Sequence, residues 1–99
     1  MINTIVATHD TNAKLYGNPI IVPQAGVAIR EFGEECRKPE SIYNKFPEDF
    51  ELVELGTYDN QNGKIKLHKD IIVIARAKDY AKKIKIKKRA KWKNKPKQI

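Results

Sequence analysis

The side chains of this 99-residue chain best suited to acid–base, nucleophilic or metal chemistry are two histidines, one cysteine and a few adjacent acids. His9-Asp10 and His68-Lys69-Asp70 bring acid–base types together only as chain neighbours, and neighbours on a strand point to opposite faces. With Cys36 alone between two distant histidines there is neither a metal-ligand spacing nor a nucleophile paired with its base. Glu34-Glu35 and Glu48-Asp49 read as solvated charge on a helix and a loop. Gly17, Gly26 and Gly33 fall in no phosphate-cradling pattern. No enzyme, metal or cofactor is therefore expected. Cys36 has no partner for an internal disulfide, suits a reducing compartment and reads as a small buried hydrophobe.

Charge is the chemistry this sequence does offer. The last nineteen residues read AKKIKIKKRAKWKNKPKQI, and from Lys78 to Lys97 there are ten lysines, Arg89 and one acid, Asp79, a net of +10. Since the whole chain carries +8, everything outside that stretch sums to −2. A mildly acidic body with a strongly basic last segment is the expected distribution where affinity for a polyanion is concentrated in one arm. Lys82, Lys83, Lys85, Lys87, Lys88, Arg89, Lys91 and Lys93 are the phosphate-neutralising candidates. Trp92 stands alone among them, and Tyr80 precedes them; both offer rings on which unpaired bases can stack, which favours a single strand over a duplex. Tyr58 is a third stacking candidate, and Lys64, Lys66 and Arg30 extend the cationic set into the body. The residue types do not separate DNA from RNA. The competing readings are a solvated, disordered tail that only promotes solubility, Trp92 folded back as a core anchor, and Tyr58 and Arg30 as ordinary packing and surface residues.

A lipid surface is a poorer partner. Wound as a helix, the tail places Ile84 and Ile86 about 200° apart with cations nearly all round, so no apolar stripe is left to insert. The longest uncharged apolar run, IIVIA at Ile71 to Ala75, is far short of the roughly 20 residues of a membrane span. MINTIVATHD lacks the basic-then-apolar order of a signal peptide, so the cytoplasm is the expected location.

The elements that must position these residues are short. Ninety-nine residues support one core. Asn3 to Thr8 and Pro19 to Pro23 read as two strands with Gly17-Asn18 punctuating the link. Ala25, Ala28, Ile29, Phe32 and Cys36 recur at helical spacing, opposite Arg30, Glu31, Glu34, Glu35 and Lys38, and Pro39 ends the helix. In the connection KPESIYNKFPEDF, Ile42, Tyr43 and Phe46 are expected to tuck onto the core. Phe50 to Tyr58 and Lys64 to His68 then form a hairpin, with Asn62-Gly63 both supplying positive φ at its turn. In its second arm Ile65 and Leu67 should be buried and Lys64, Lys66 and His68 wet. Ile71 to Ala77 has the apolar content of a central strand, and Asp79 can start a terminal helix through Tyr80, Ala81 and Ile84, although KIKIK suits an edge strand equally well. The expectation is an α+β fold: a small antiparallel sheet of four or five strands in the order ββαβββ, one packed helix, a single domain over 1–77 and a basic segment over 78–99. An OB-like barrel is the alternative, disfavoured by a helix placed after only two strands.

The stretch AGVAIREFGEECRKPESIYNKFPEDFELVELGTYDNQNG, from Ala25 to Gly63, resembles the small nonstructural protein encoded by the fifth reading frame of gokushovirus-type microviruses, bacteriophages with circular single-stranded DNA genomes. The resemblance is carried by A-x-R-x-F at Ala28 to Phe32, P-x-S at Pro39 to Ser41, P-E-D-F at Pro47 to Phe50, and L-G-x-[FY]-D at Leu55 to Asp59 followed by Asn62-Gly63. It implies a DNA-binding protein of the host bacterial cytoplasm, acting on single-stranded DNA in the switch toward single-stranded genome synthesis or packaging. It assigns no binding residues, and the long basic extension departs from the family's pattern. Two linked copies would grip a long strand more firmly than one, which makes a homodimer one expected state. The rival expectation, from another functional class, is an interaction module that docks on phage replication or capsid proteins.

Overall fold

The computed structural model describes residues 1–81. Its first strand, β1 (Ile2–Asp10), is the centre of the sheet. The chain then turns back twice along the same edge of β1, first as the two-residue β2 (Leu15–Tyr16) and then as β3 (Ile20–Val22). On the other side β1 pairs along its length with β4 (Phe50–Asp59), and β4 pairs with β5 (Lys64–Arg76), so the order is β2-β1-β4-β5 with β3 beside β2 on β1, all antiparallel. The expected α+β class and antiparallel sheet are what the chain adopts.

Between β3 and β4 runs α1 (Ala25–Arg37), followed by the one-turn α2 (Ile42–Lys45). The apolar stripe foreseen at 28, 29, 32 and 36 is the face α1 lays on the sheet: Ala28, Phe32 and Cys36 are buried with Val6, Val22, Leu52 and Ala77, and Ile29, Tyr43, Phe50 and Tyr80 close the edges of that core. Lys38 caps the helix and Pro39 follows it, as expected of a residue that lacks the next N–H donor. Ser41 caps α2 by accepting a hydrogen bond from the Tyr43 N–H at 3.1 Å.

The two loops at the ends of β1 and β4 share one design. The Asp10 side chain accepts the N–H of Asn12 and of Ala13, the Asp59 side chain accepts the N–H of Gln61, and their carbonyls accept the N–H of residue 14 and residue 63. Lys14 (φ 61°) and Gly63 (φ 75°) then turn the chain through the left-handed region. Gly63 alone supplies positive φ in the second loop. Asn62 instead accepts the Lys64 N–H at 2.9 Å through its side chain.

Four further expectations are corrected. Lys64 to His68 and Ile71 to Ala77 form one continuous strand, and that strand is the edge of the sheet among the described residues, not its centre. Its continuity survives because β5 carries the extra residues as bulges: the four residues His68 to Ile71 face the single Leu55, and Ile74 is extra at the Leu52–Val53 step. Ile65 and Leu67, expected inside, are 60% and 69% exposed, because they lie on the end of the hairpin that α1 does not cover. Ile42 and Phe46 are also exposed, since one turn of helix can direct only Tyr43 inward. Finally, the terminal helical stretch starts at residue 77, before Asp79, and Ala77 and Ala81 are both fully buried, so packing continues past the end of β5.

Candidate functional site

Hairpin pairing sets what each residue near the tip can reach. Thr57 lies opposite Lys66 and Asp59 opposite Lys64, whereas Tyr58 lies opposite Ile65. Cross-strand partners share a face and successive residues alternate. Lys64 and Lys66 therefore stand on one face with Thr57 and Asp59, and Tyr58 belongs to the other. Thr57, Asp59, Lys64 and Lys66, with Ile2, Asn62 and Ile65, line an open hollow of about 370 Å³ that Tyr58 does not enter. One oxygen of Asp59 is engaged by the Gln61 N–H at 2.9 Å. Two ammonium groups against one carboxylate leave the hollow net cationic, with side-chain amide and hydroxyl groups as further partners for a phosphate or sugar oxygen. Thr57, Asp59 and Asn62 were not singled out from sequence; the strand alternation that groups them with the lysines is readable only once the register is known.

The other body candidates are elsewhere. Arg30 is exposed and takes no part in the hollow. Tyr80 packs against α1. Its ring meets Phe32 edge-on with centroids 6.5 Å apart, and the Arg37 guanidinium sits 5.3 Å from its centroid. This seat exists because residue 33 is glycine: a Cβ there would come within 2.9 Å of the Tyr80 ring. A ring held in this way anchors residues 77–81 to the helix, which competes with stacking on a base. Lys82, Lys83, Lys85, Lys87, Lys88, Arg89, Lys91, Trp92 and Lys93 lie outside the described residues, as does Ile84.

Both histidines find carboxylates, which sequence spacing did not reveal. His9 Nδ1 is 3.1 Å from Glu51 Oε2, its cross-strand partner, and its ring stacks on Tyr16 at 4.1 Å and 8°. His68 Nε2 is 2.7 Å from Glu54 Oε2, within the bulged part of β5. Glu51 and Glu54 belong to opposite faces of β4, so the two pairs do not form one site. Among the described residues no group of three or more His, Cys, Asp or Glu is placed to hold a metal ion. Cys36 is fully buried, and burial pushes its thiol up to about 11, with smaller opposing effects of Arg37 (downward) and Glu35 (upward). At neutral pH it is a packed, protonated thiol, not a nucleophile.

No helix among the described residues is long and apolar enough to cross a membrane. No curated protein and no solved structure matches the chain. One family model does, that described as Phage ORF5 protein, over residues 3–80. The matched segment covers the sheet, both helices and the Tyr80 seat, and stops before the lysine-rich end. With more than three quarters of its length accounted for in this way, the chain belongs to the Phage ORF5 protein family.

Proposed function

We propose that this phage protein binds single-stranded DNA through its basic C-terminal segment, with the Lys64–Lys66 hollow as a second contact region on the body. The observation that carries this reading is the separation of charge, +10 within residues 78–97 against −2 elsewhere. Each phosphate neutralised by lysine or arginine releases a condensed counterion, so affinity without sequence readout follows directly from such a segment. Trp92 supplies a ring for base stacking, worth about 1–3 kcal/mol per stacked base, and this favours the unpaired strand. The chemistry fits a phage of the gokushovirus type, whose single-stranded circular genome must be bound as it is synthesised or packaged in the host cytoplasm. Exposed Ile42 on α2 and Phe46 at its C-terminal cap favour a second reading, docking on phage replication or capsid proteins.

The test is a salt series with single-stranded and duplex oligonucleotides of one sequence. The proposal requires log affinity for the single strand to fall with log salt by about 0.7 for each phosphate neutralised. Replacing the eight cations from Lys82 to Lys93 with glutamine should flatten that slope in a chain that is still folded. Trp92 is the only tryptophan, so its fluorescence reports on the segment directly. Stacking predicts quenching by the single strand and a larger loss for it than for duplex in Trp92→Ala. A slope unchanged by the glutamine variant would remove the segment as the site.

A further inference from the structure

We propose that the outer edge of β5 pairs with the same edge of a second copy, with Val73 at the twofold axis. A 13-residue edge strand offers a long row of backbone donors and acceptors, and natural proteins blunt such edges with lysines, bulges or prolines. The first half of β5 is defended in this way by Lys64, Lys66, Lys69 and the four-residue bulge. The second half has no lysine or proline, and its one irregularity is the single extra residue Ile74 at the Leu52–Val53 step. Ile71 to Ala75 is wholly apolar, and Ile72 and Val73 are 46% and 37% exposed although they pair with Glu54 and Val53 of β4. Among the described residues no strand pairs with its other side.

The occupant that fits is a second β5 because the segment is charge-complementary to itself. Asp70 and Arg76 stand three residues before and three after Val73, and both are exposed. In an antiparallel pair centred on Val73, each end of the shared segment brings Arg76 of one copy within side-chain reach of the partner's Asp70. The apolar residues between them face one another, and Val73 meets its own symmetry mate. Such a contact is isologous and closes as a dimer without leaving a further edge of the same kind. It joins two sheets into one, with both α1 helices on the same face, because the twofold of an antiparallel pair stands perpendicular to the sheet.

The experiment uses the full chain without nucleic acid and reads mass by sedimentation over tens of micromolar protein. A reversible dimer is expected, and a monomer throughout overturns the proposal. D70R and R76D should each weaken the dimer by roughly tenfold or more, since every such contact occurs twice across the axis, while the double variant should recover most of the loss. Unchanged dimerisation in both single variants would overturn the edge pairing. Because the positions are exposed, folding should persist and is checked by circular dichroism. Independently, Val73→Cys should form an intermolecular disulfide under mild oxidation, whereas Ile21→Cys, exposed on β3 at the opposite side of the sheet, should not. Equal cross-linking at the two positions would also overturn it.

Discussion

Gly56 and Gly26 offer the same change, a hydrogen replaced by a methyl, in two surroundings that predict opposite signs. A Cβ on Gly56 would sit 2.3 Å from the Lys66 carbonyl oxygen and 2.9 Å from the Leu67 Cα, both backbone atoms of the paired strand. Carbon atoms in contact prefer about 3.5–4.0 Å, so β4 and β5 must part by roughly 1 Å at this point. That separation takes the neighbouring ladder bonds out of range, at about 0.5–1.5 kcal/mol each, beyond the roughly 1–3 kcal/mol typical of overpacking. Gly56→Ala should therefore cost about 2–4 kcal/mol, which in a domain of this size lowers Tm by about 10–25 °C. Around Gly26, in the first turn of α1, a Cβ would meet nothing within 4 Å. Gly26→Ala should gain about 0.5 kcal/mol of helix propensity and raise Tm by a few degrees. Thermal melts followed by circular dichroism at 222 nm, a wavelength that reports roughly on helix and sheet together, compare the variants under one condition. Gly56→Ala melting within about two degrees of the parent, or Gly26→Ala falling as far as Gly56→Ala, would refute the β4–β5 register on which the Lys64–Lys66 hollow depends.

Three further outcomes follow from the same geometry. Lys14→Gly should raise stability by about 0.5–1 kcal/mol in urea titrations, because lysine is held at φ 61° where glycine carries no Cβ penalty. Gly33→Ala gains helix propensity but drives a methyl into the Tyr80 ring, so it should be destabilising by about 1–2 kcal/mol; in a Tyr80→Ala background the same change should become neutral or favourable, a coupling that a double-mutant cycle measures. Because burial raises the Cys36 thiol from 9.0 to about 11, the folded chain keeps a proton that the unfolded chain releases. This contribution is complete below pH 9 and is lost as pH rises from about 9 to 11, on the order of 3 kcal/mol; urea titrations across that window should show the fall in the parent and its absence in Cys36→Ala.

The helix was legible because one local signal decided it: an apolar residue every three or four positions from Ala28 to Cys36, ended by Pro39. The hairpin was legible for a similar reason, since an Asp at one end and Asn62-Gly63 at the other fit a tight loop. What could not be read was position within the sheet. An apolar run such as Ile71 to Ala75 has the same composition whether it is covered on both sides or stands at an edge, and only the pairing of β4 with both β1 and β5 shows which. Alternation in KIKLH correctly separated the lysines from Ile65 and Leu67, but residues 64–67 are exposed on both faces, because α1 does not reach that far along the hairpin. The Tyr80 seat depends on Gly33, 47 positions earlier, and no local pattern links them.

The fold also sets a problem for any reading based on charge. Lys64 and Arg76 are the two ends of β5, and at about 3.3 Å per residue they lie roughly 35–40 Å apart. The cationic hollow is at one end, and the chain leaves for its lysine-rich segment from the other, fixed there by Tyr80 against α1. Within one copy, a strand of nucleic acid touching both the hollow and residues 77–81 must run the length of the hairpin, past His68 and Asp70. Antiparallel self-pairing through Val73 shortens that path: Ala77 of one copy falls opposite the partner's Lys69, so each chain leaves β5 beside the lysine-bearing half of the partner's strand. Charge repulsion between those lysines would weaken such a dimer in isolation, and a bound polyanion would relieve it. If both proposals hold, single-stranded DNA should therefore tighten dimerisation, and by linkage dimerisation should tighten binding by the same factor. A monomeric protein that binds DNA with the full salt slope would separate them, leaving the basic segment as the site and the edge of β5 unoccupied.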